Sequence, residues 1–197
     1  MTAHLRHKKR SYFRAGLAAF VLLMWLSPLS DLHAAAEGEL SFMISYSKTD
    51  YGNNSYSKTT RYMGGAAVNL TPVTQIELSY TNTDTYMNYE PIQTVEINEQ
   101  VLALSLIQSI VPPDFIFQPY GKAGAAQYNR RRRGVTYGVP DREILTKDPS
   151  AVLGAGVRIF LLKQFSLKVE AVTYLPNLEF GSADDNFSVQ GGASWRF

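Results

Sequence analysis

Cysteine is absent from all 197 residues, and histidine occurs only at His4, His7 and His33. The lack of cysteine excludes disulfide frameworks, thiolate metal sites, cysteine nucleophiles and a lipoprotein-type acyl anchor. All three histidines fall within the first 36 residues. If that segment is removed, the remainder has neither residue type. Most hydrolytic triads and nearly every transition-metal site are then excluded before any motif is considered. From Glu37 onward there is also no run of 18 apolar residues, so no transmembrane helix is expected. Charge of one sign is lacking as well. The first 36 residues hold Arg6, Lys8, Lys9, Arg10 and Arg14 of the 19 basic residues, and Asp31 of the 17 acidic ones. Removing them leaves 14 basic and 16 acidic groups, a net of −2 in place of +2.

That first segment reads as an address. A basic run, residues 4–14, precedes an apolar stretch from Ala15 to Leu26, and a short polar region ends in Ala34-Ala35-Ala36. This is the order of a secretory signal peptide with a small-residue cleavage site. The apolar stretch is far shorter than the ~20 residues that a membrane-spanning helix needs. Residues 1–36 are therefore expected to be cleaved, and 37–197 to form one working domain outside the inner membrane.

What is present throughout the mature part is alternation with period 2, which places like residues on one face of a strand. Leu40, Phe42, Ile44 and Tyr46 alternate with serines, and Leu102, Leu104 and Leu106 share a face. Eight strands are expected: 39–51, 56–70, 76–86, 95–110, 115–129, 151–162, 165–175 and 187–197. The segment 115–129 is ambiguous, because Gly and Ala fill both faces. Tight turns at 71–74, 111–114 and 162–164 alternate with longer polar loops at 48–55, 84–92, 130–150 and 176–186. Short and long connections in alternation describe an up-and-down antiparallel meander, which can close into a barrel and remove its free edges.

Alternation alone does not say which face meets solvent, since a soluble barrel would hide the apolar one. Charges of both signs on the polar face favour the opposite arrangement. Glu77, Arg158, Lys168, Glu170 and Arg196 lie in mid-strand, with Arg61 and Glu99 nearer the long-loop end and Lys122 joining if its strand faces that way. An Arg or Lys facing hydrocarbon at mid-depth costs ~2–4 kcal/mol, whereas charges enclosed in a barrel can pair. Tyr46, Tyr51, Tyr56, Tyr80, Tyr86, Tyr128 and Tyr174 gather near strand ends, where an interfacial girdle is expected. Glu77, Lys122, Arg158, Lys168, Glu170 and Arg196 are thus the expected luminal network, and a bore of eight strands is just wide enough for such side chains to fill.

The ending FSVQGGASWRF resembles the last strand of bacterial outer-membrane barrels, with Val189, Ala193, Trp195 and Phe197 on alternate positions. The segment PYGKAGAAQY, residues 119–128, and the pattern of 37–197 as a whole are similar to the eight-stranded OmpA/OmpX-like barrel family. The resemblance implies a Gram-negative outer-membrane protein with both termini and the tight turns in the periplasm and the long loops outside. It also implies that Trp195 and Phe197 act as the signal read by the barrel assembly machinery.

Function follows the same lines. Enzymatic barrels of this kind rely on a histidine base, and the mature chain has none. Ser166 and Lys168 share a strand face, but such spacing is common in any barrel. A non-enzymatic, monomeric barrel is expected, with a structural or surface-contact role through its loops and a lumen plugged by charge. The alternative is a narrow, OmpW-like pore or conduit for small or apolar solutes. Arg130-Arg131-Arg132-Arg133, at the start of the longest loop, has three readings: contact with lipopolysaccharide phosphates through forked guanidinium donors, contact with another extracellular polyanion such as DNA or heparan sulfate, or a solvated run. Outer-membrane lipid is the expected surrounding. No cofactor, metal or nucleic-acid partner is expected: Asn53, Asn54, Asp184 and Asp185 lack calcium-loop spacing and read as turn residues.

Overall fold

Period-2 alternation leaves a strand one face to bury and one to solvate, and the pairing of neighbouring strands decides the rest. The computed structural model describes residues 37–52, 54–89, 92–178 and 186–197. The expected leader at 1–36, and Asn53, Asp184 and Asp185, lie outside the described residues. The described strands are β1 (Gly38–Gly52), β2 (Ser55–Asn69), β3 (Thr74–Tyr89), β4 (Gln93–Ser109), β5 (Phe117–Thr136), β6 (Val139–Pro140), β7 (Ile144–Phe160), β8 (Phe165–Pro176) and β9 (Phe187–Arg196). Eight of them are long staves, and β6 is a two-residue return at the tip of the β5–β7 hairpin. Each stave pairs antiparallel with its chain neighbours, and β1 pairs with β9 from Glu39↔Arg196 to Ile44↔Gly191, so the sheet closes. Reciprocal bonds between Gly38 and Phe197, 2.9 Å each way, extend that seam to the last residue.

Register sorts the side chains. Leu40, Ala66, Leu78, Leu104 and Ala125 form one outward ladder across β1 to β5. The neighbouring inward ladder is Ser41, Gly65, Ser79, Ala103 and Ala126. Leu40, Leu104 and Val169 are each more than half exposed, at 53%, 57% and 53%, while Glu77 and Glu170 are at most 1% exposed. In water this would be an inverted protein. Leucines ringing the outside and carboxylates sealed within make sense only if the outer solvent is hydrocarbon. Tyr46, Tyr62 and Tyr80 stand exposed at one margin of the belt, and Phe117, Trp195 and Phe197 at the other. Among the described residues there is no helix.

Two expectations are corrected. Three of the connections expected as loops are largely strand: β1 runs to Gly52, β3 to Tyr89 and β4 from Gln93, while β5 runs to Thr136 and β7 begins at Ile144. Beyond the apolar belt both strand faces are wet, so no apolar face marks these extensions. The tip of the β5–β7 hairpin is a tight turn in which Tyr137 and Gly138 have positive φ of 49° and 78°, the two-residue geometry that matches strand twist. Tyr128 and Tyr174 do not join an interfacial girdle. They point into the bore, 4% and 2% exposed, because register puts them on the same face as Glu170 and Lys122.

Small residues make room for large ones inside. At Gly156 an added Cβ would lie 2.6 Å from the ring of Tyr120 and 2.7 Å from the carbonyl oxygen of Val169. At Gly64, on the outward face, it would meet nothing within 4 Å. Gly156→Val is therefore expected to destabilise the folded barrel by ~1–3 kcal/mol through overpacking. Gly64→Val should leave stability nearly unchanged. Urea unfolding in lipid vesicles, followed by the folded-to-unfolded shift in gel mobility, measures both.

Candidate functional site

The bore is built in three levels, beginning at the end that carries the termini and tight turns. Glu39 of β1 is the hub of the first level. Its Oε1 lies 3.3 Å from Arg158 and 3.4 Å from Lys168, and its Oε2 lies 3.9 Å from Arg196. Gln75 donates to Glu39 at 3.3 Å and accepts from Arg158 at 2.8 Å. Lys168 also faces Glu77 at 3.6 Å and so joins this hub to a second cluster within the same level. There Lys122 bonds Glu77 at 2.7 Å and lies 3.4 Å from Glu170. Glu170 further accepts from the Tyr120 hydroxyl at 2.9 Å and from the Gln190 amide at 3.1 Å. The Tyr120 ring also meets the charged groups of Arg158 and Lys168, 5.6 Å and 5.7 Å from its centroid.

Three carboxylates (Glu39, Glu77, Glu170) thus meet three fully enclosed cations (Lys122, Arg158, Lys168), each at most 3% exposed. Arg196 sits at the mouth, its side chain 18% exposed, against the Phe160 ring at 4.6 Å. Ionised groups taken out of water are tolerated when paired and further hydrogen-bonded, and the interior supplies both.

The second level is apolar. Met43, Met63, Val101, Ala103, Val152 and Val172 fill the bore with Tyr128 and Tyr174. Above it a cavity of about 750 Å³ opens toward the long-loop end. Its walls carry Ser45, Thr59, Thr85 and Thr146 among other hydroxyls, with Arg61, Glu99, Arg130 and Asp148 as the charged groups.

The structure places Glu77, Lys122, Arg158, Lys168 and Glu170 together in the bore and Arg196 at its mouth. It resolves the ambiguous strand: Lys122 faces inward. Sequence reasoning missed Glu39, Gln75, Tyr120 and Gln190. The signal for Glu39 was available, since it alternates with Leu40 and Phe42 on the same face as Ser41. Arg130–Arg133 require a correction, for they do not begin a loop. They lie within β5 and alternate in direction. Arg130 and Arg132 pair in register with the lumen-side residues Glu99 and Ile97, and Arg130 lies 3.4 Å from Glu99. Arg131 and Arg133 face outward and straddle one carboxylate, Glu143, at 2.9 Å and 3.3 Å. Trp195 and Phe197 are outward and exposed beside the β1–β9 seam.

Removing one member of the enclosed set strands its partners. Glu170→Ala takes the acceptor from Lys122, Tyr120 and Gln190 at once and is expected to cost ~3–5 kcal/mol. Glu143→Ala, in an exposed ion pair, should cost at most ~1 kcal/mol. The urea midpoints of the refolded barrels distinguish these outcomes, and equal midpoints would mean that Glu170 does not face a dry interior.

Known proteins align with this architecture. Residues 15–197 match the family model described as the outer membrane protein beta-barrel domain. No curated protein matches the chain. Among solved structures, the N-terminal β-barrel domain of Pseudomonas aeruginosa OprF is 18% identical, covering 82% of this chain and 97% of its own, with a TM-score of 0.57. Neisserial surface protein A is 12% identical, covering 83% of this chain and 100% of its own, with a TM-score of 0.56. Ail, the attachment invasion locus protein of Yersinia pestis, solved with the heparin analogue sucrose octasulfate, is 12% identical with the same coverage and a TM-score of 0.54. At such identities the likeness is one of fold. An apolar belt, a closed ring of eight staves and a match that runs to the last residue lead to one assignment: the chain belongs to the outer membrane protein β-barrel family and resides in the bacterial outer membrane.

Proposed function

We propose that this protein is a plugged, non-enzymatic, monomeric barrel that anchors a raised β-structure at the cell surface and works by contact rather than by passage. The observation that carries the reading is the enclosed set of three carboxylates and three cations, which fills the bore beneath the apolar level. A solute would have to break several charge-assisted bonds at once to pass. Residues 1–36 are proposed to be a cleaved signal peptide. Trp195 and Phe197 are proposed to present the assembly signal. Their exposure and the pairing of Phe197 with Gly38 support that role.

A catalytic use of Ser166 and Lys168 is disfavoured by their surroundings. Ser166 shares a 2.7 Å hydrogen bond with Ser194, and Lys168 is held between Glu39 and Glu77. Both are 1% exposed, out of reach of a lipid or peptide.

With the long-loop end outside the cell, as the family topology has it, the outward arginines take the anion-contact role. Arg131 and Arg133 both lie within ion-pair distance of one carboxylate, Glu143. They line an outer groove with Lys58, Tyr56 and Tyr86, and with the carboxylates Asp84 and Glu96, beyond the Tyr46–Tyr62–Tyr80 margin of the apolar belt. That level suits the phosphates of lipopolysaccharide, which a guanidinium can grip with paired donors. Arg130 and Arg132, on the lumen side, are not expected to contribute.

Two measurements test these readings. Refolded protein in planar bilayers should show no steady single-channel current, and steady current would replace the plug with the narrow-conduit alternative. On heparin columns, Arg131→Ala/Arg133→Ala should elute at lower salt than wild type, while Arg130→Ala/Arg132→Ala should elute near wild type. Equal shifts in the two variants would remove the directional argument.

A further inference from the structure

Arg61 is the one buried basic residue for which no carboxylate of the described residues lies within ion-pair distance; Arg132, also on the lumen side, is exposed. Lys122 has Glu77 and Glu170, Arg158, Lys168 and Arg196 have Glu39, and Arg130 has Glu99. Arg61 is 8% exposed, so it is well shielded from water. Its Nε donates to Thr83 Oγ1 at 2.9 Å, one of its terminal nitrogens donates to Ser188 Oγ, and its guanidinium lies over the Tyr174 ring at 5.8 Å. All these partners are neutral. An ionised group held away from water with only neutral partners is unfavourable unless an opposite charge completes it.

The space for that charge is present. Arg61, Thr83 and Ser188 all line the 750 Å³ cavity above the apolar level. Glu99 does not fill the role, since its carboxylate lies against Arg130 at 3.4 Å. Asp148 lines the same cavity but projects from β7, which stands opposite β2 in the ring, four staves away in either direction. Asp148 is also partly solvated, so its own lack of a cation costs little, whereas Arg61 is enclosed. The asymmetry selects an anion at Arg61 over a cation at Asp148. The remaining wall is rich in hydroxyls, from Ser45, Ser47, Thr59, Thr85 and Thr146, which can serve a hydrated or hydroxylated ligand as donors or acceptors.

We infer that the vestibule above the plug is a binding site for a small oxyanion or an oxyanion-bearing hydroxylated solute, held by the guanidinium of Arg61 and the hydroxyls of Thr83 and Ser188. A planar fork of donors favours carboxylate, sulfate or phosphate over a spherical halide. The inference stands whether or not the bore below conducts, because the site lies on the loop side of the apolar level.

The test uses the refolded barrel in detergent micelles with ¹⁵N-labelled arginine. Sodium sulfate and, separately, sodium glucuronate are titrated against sodium chloride at constant ionic strength and pH. The expected result is a saturable shift of the Arg61 Nε–H resonance, with a half-saturation concentration for sulfate roughly tenfold below that for chloride. Arg61→Gln, checked for its folded gel mobility, should lose saturable binding as read by the sulfate-dependent rise in thermal midpoint. If that variant does not fold, the wild-type Arg61 resonance alone decides. A shift that fails to saturate, or that is the same for chloride and sulfate, overturns the inference. So does saturable stabilisation that survives in folded Arg61→Gln. Glucuronate binding with sulfate would extend the class to sugar acids, and sulfate binding without glucuronate would support the inference for inorganic oxyanions.

Discussion

Hydrocarbon offers a peptide group no hydrogen-bond partner, and this constraint shapes the whole molecule. A sheet immersed in lipid cannot leave an edge unpaired, so it must close on itself. Closure with eight staves gives a bore that side chains can fill. Inward positions are also where charges are tolerated, because there they can pair. The result is a protein turned inside out, with Leu104 and Val169 toward lipid and Glu77, Glu170, Lys122 and Lys168 in a dry interior. Small inward residues such as Gly156 complete the fit, leaving room for the Tyr120 ring.

The three levels of the bore divide the work. Charge pairing near the terminal end ties together staves that are not neighbours in the ring: Lys122 of β5 reaches Glu77 of β3, Arg158 of β7 reaches Glu39 of β1, and Lys168 of β8 faces Glu77 on the opposite wall. The apolar level of methionines, valines and tyrosines separates that network from water. Only beyond it does the lumen widen into a polar vestibule, where Arg61, alone of the buried cations, has no counter-charge among the described residues. Stability and any ligand chemistry are thereby kept at different depths.

Much of this was legible in the residues because one rule, alternation, carries both strand and face. It placed Glu77, Arg158, Lys168 and Glu170 inward and Leu102 and Leu104 outward. It could not place Lys122, since the glycines and alanines around it look alike from both sides. It overlooked Glu39, because a carboxylate at the beginning of a strand looks like a solvated end until the last strand closes against it. The extensions from Met87 to Tyr89 and from Arg130 to Thr136 were hidden for another reason. Outside the membrane neither face needs to be greasy, so polarity that looks like a loop is compatible with a strand. Tyr128 and Tyr174 misled because a tyrosine near a strand end suits a headgroup and a lumen equally well.

The position of Glu39 has a consequence for how the cylinder comes together. It arrives on the first stave, yet all its cationic partners, Arg158, Lys168 and Arg196, arrive on the last three. Until the two ends of the chain meet, Arg158 and Arg196 are without their carboxylate partner and Lys168 has only Glu77 to face. Sealing the seam and discharging the interior are a single event, so a partly zipped intermediate is penalised and the finished ring is locked by the same contact that completes it.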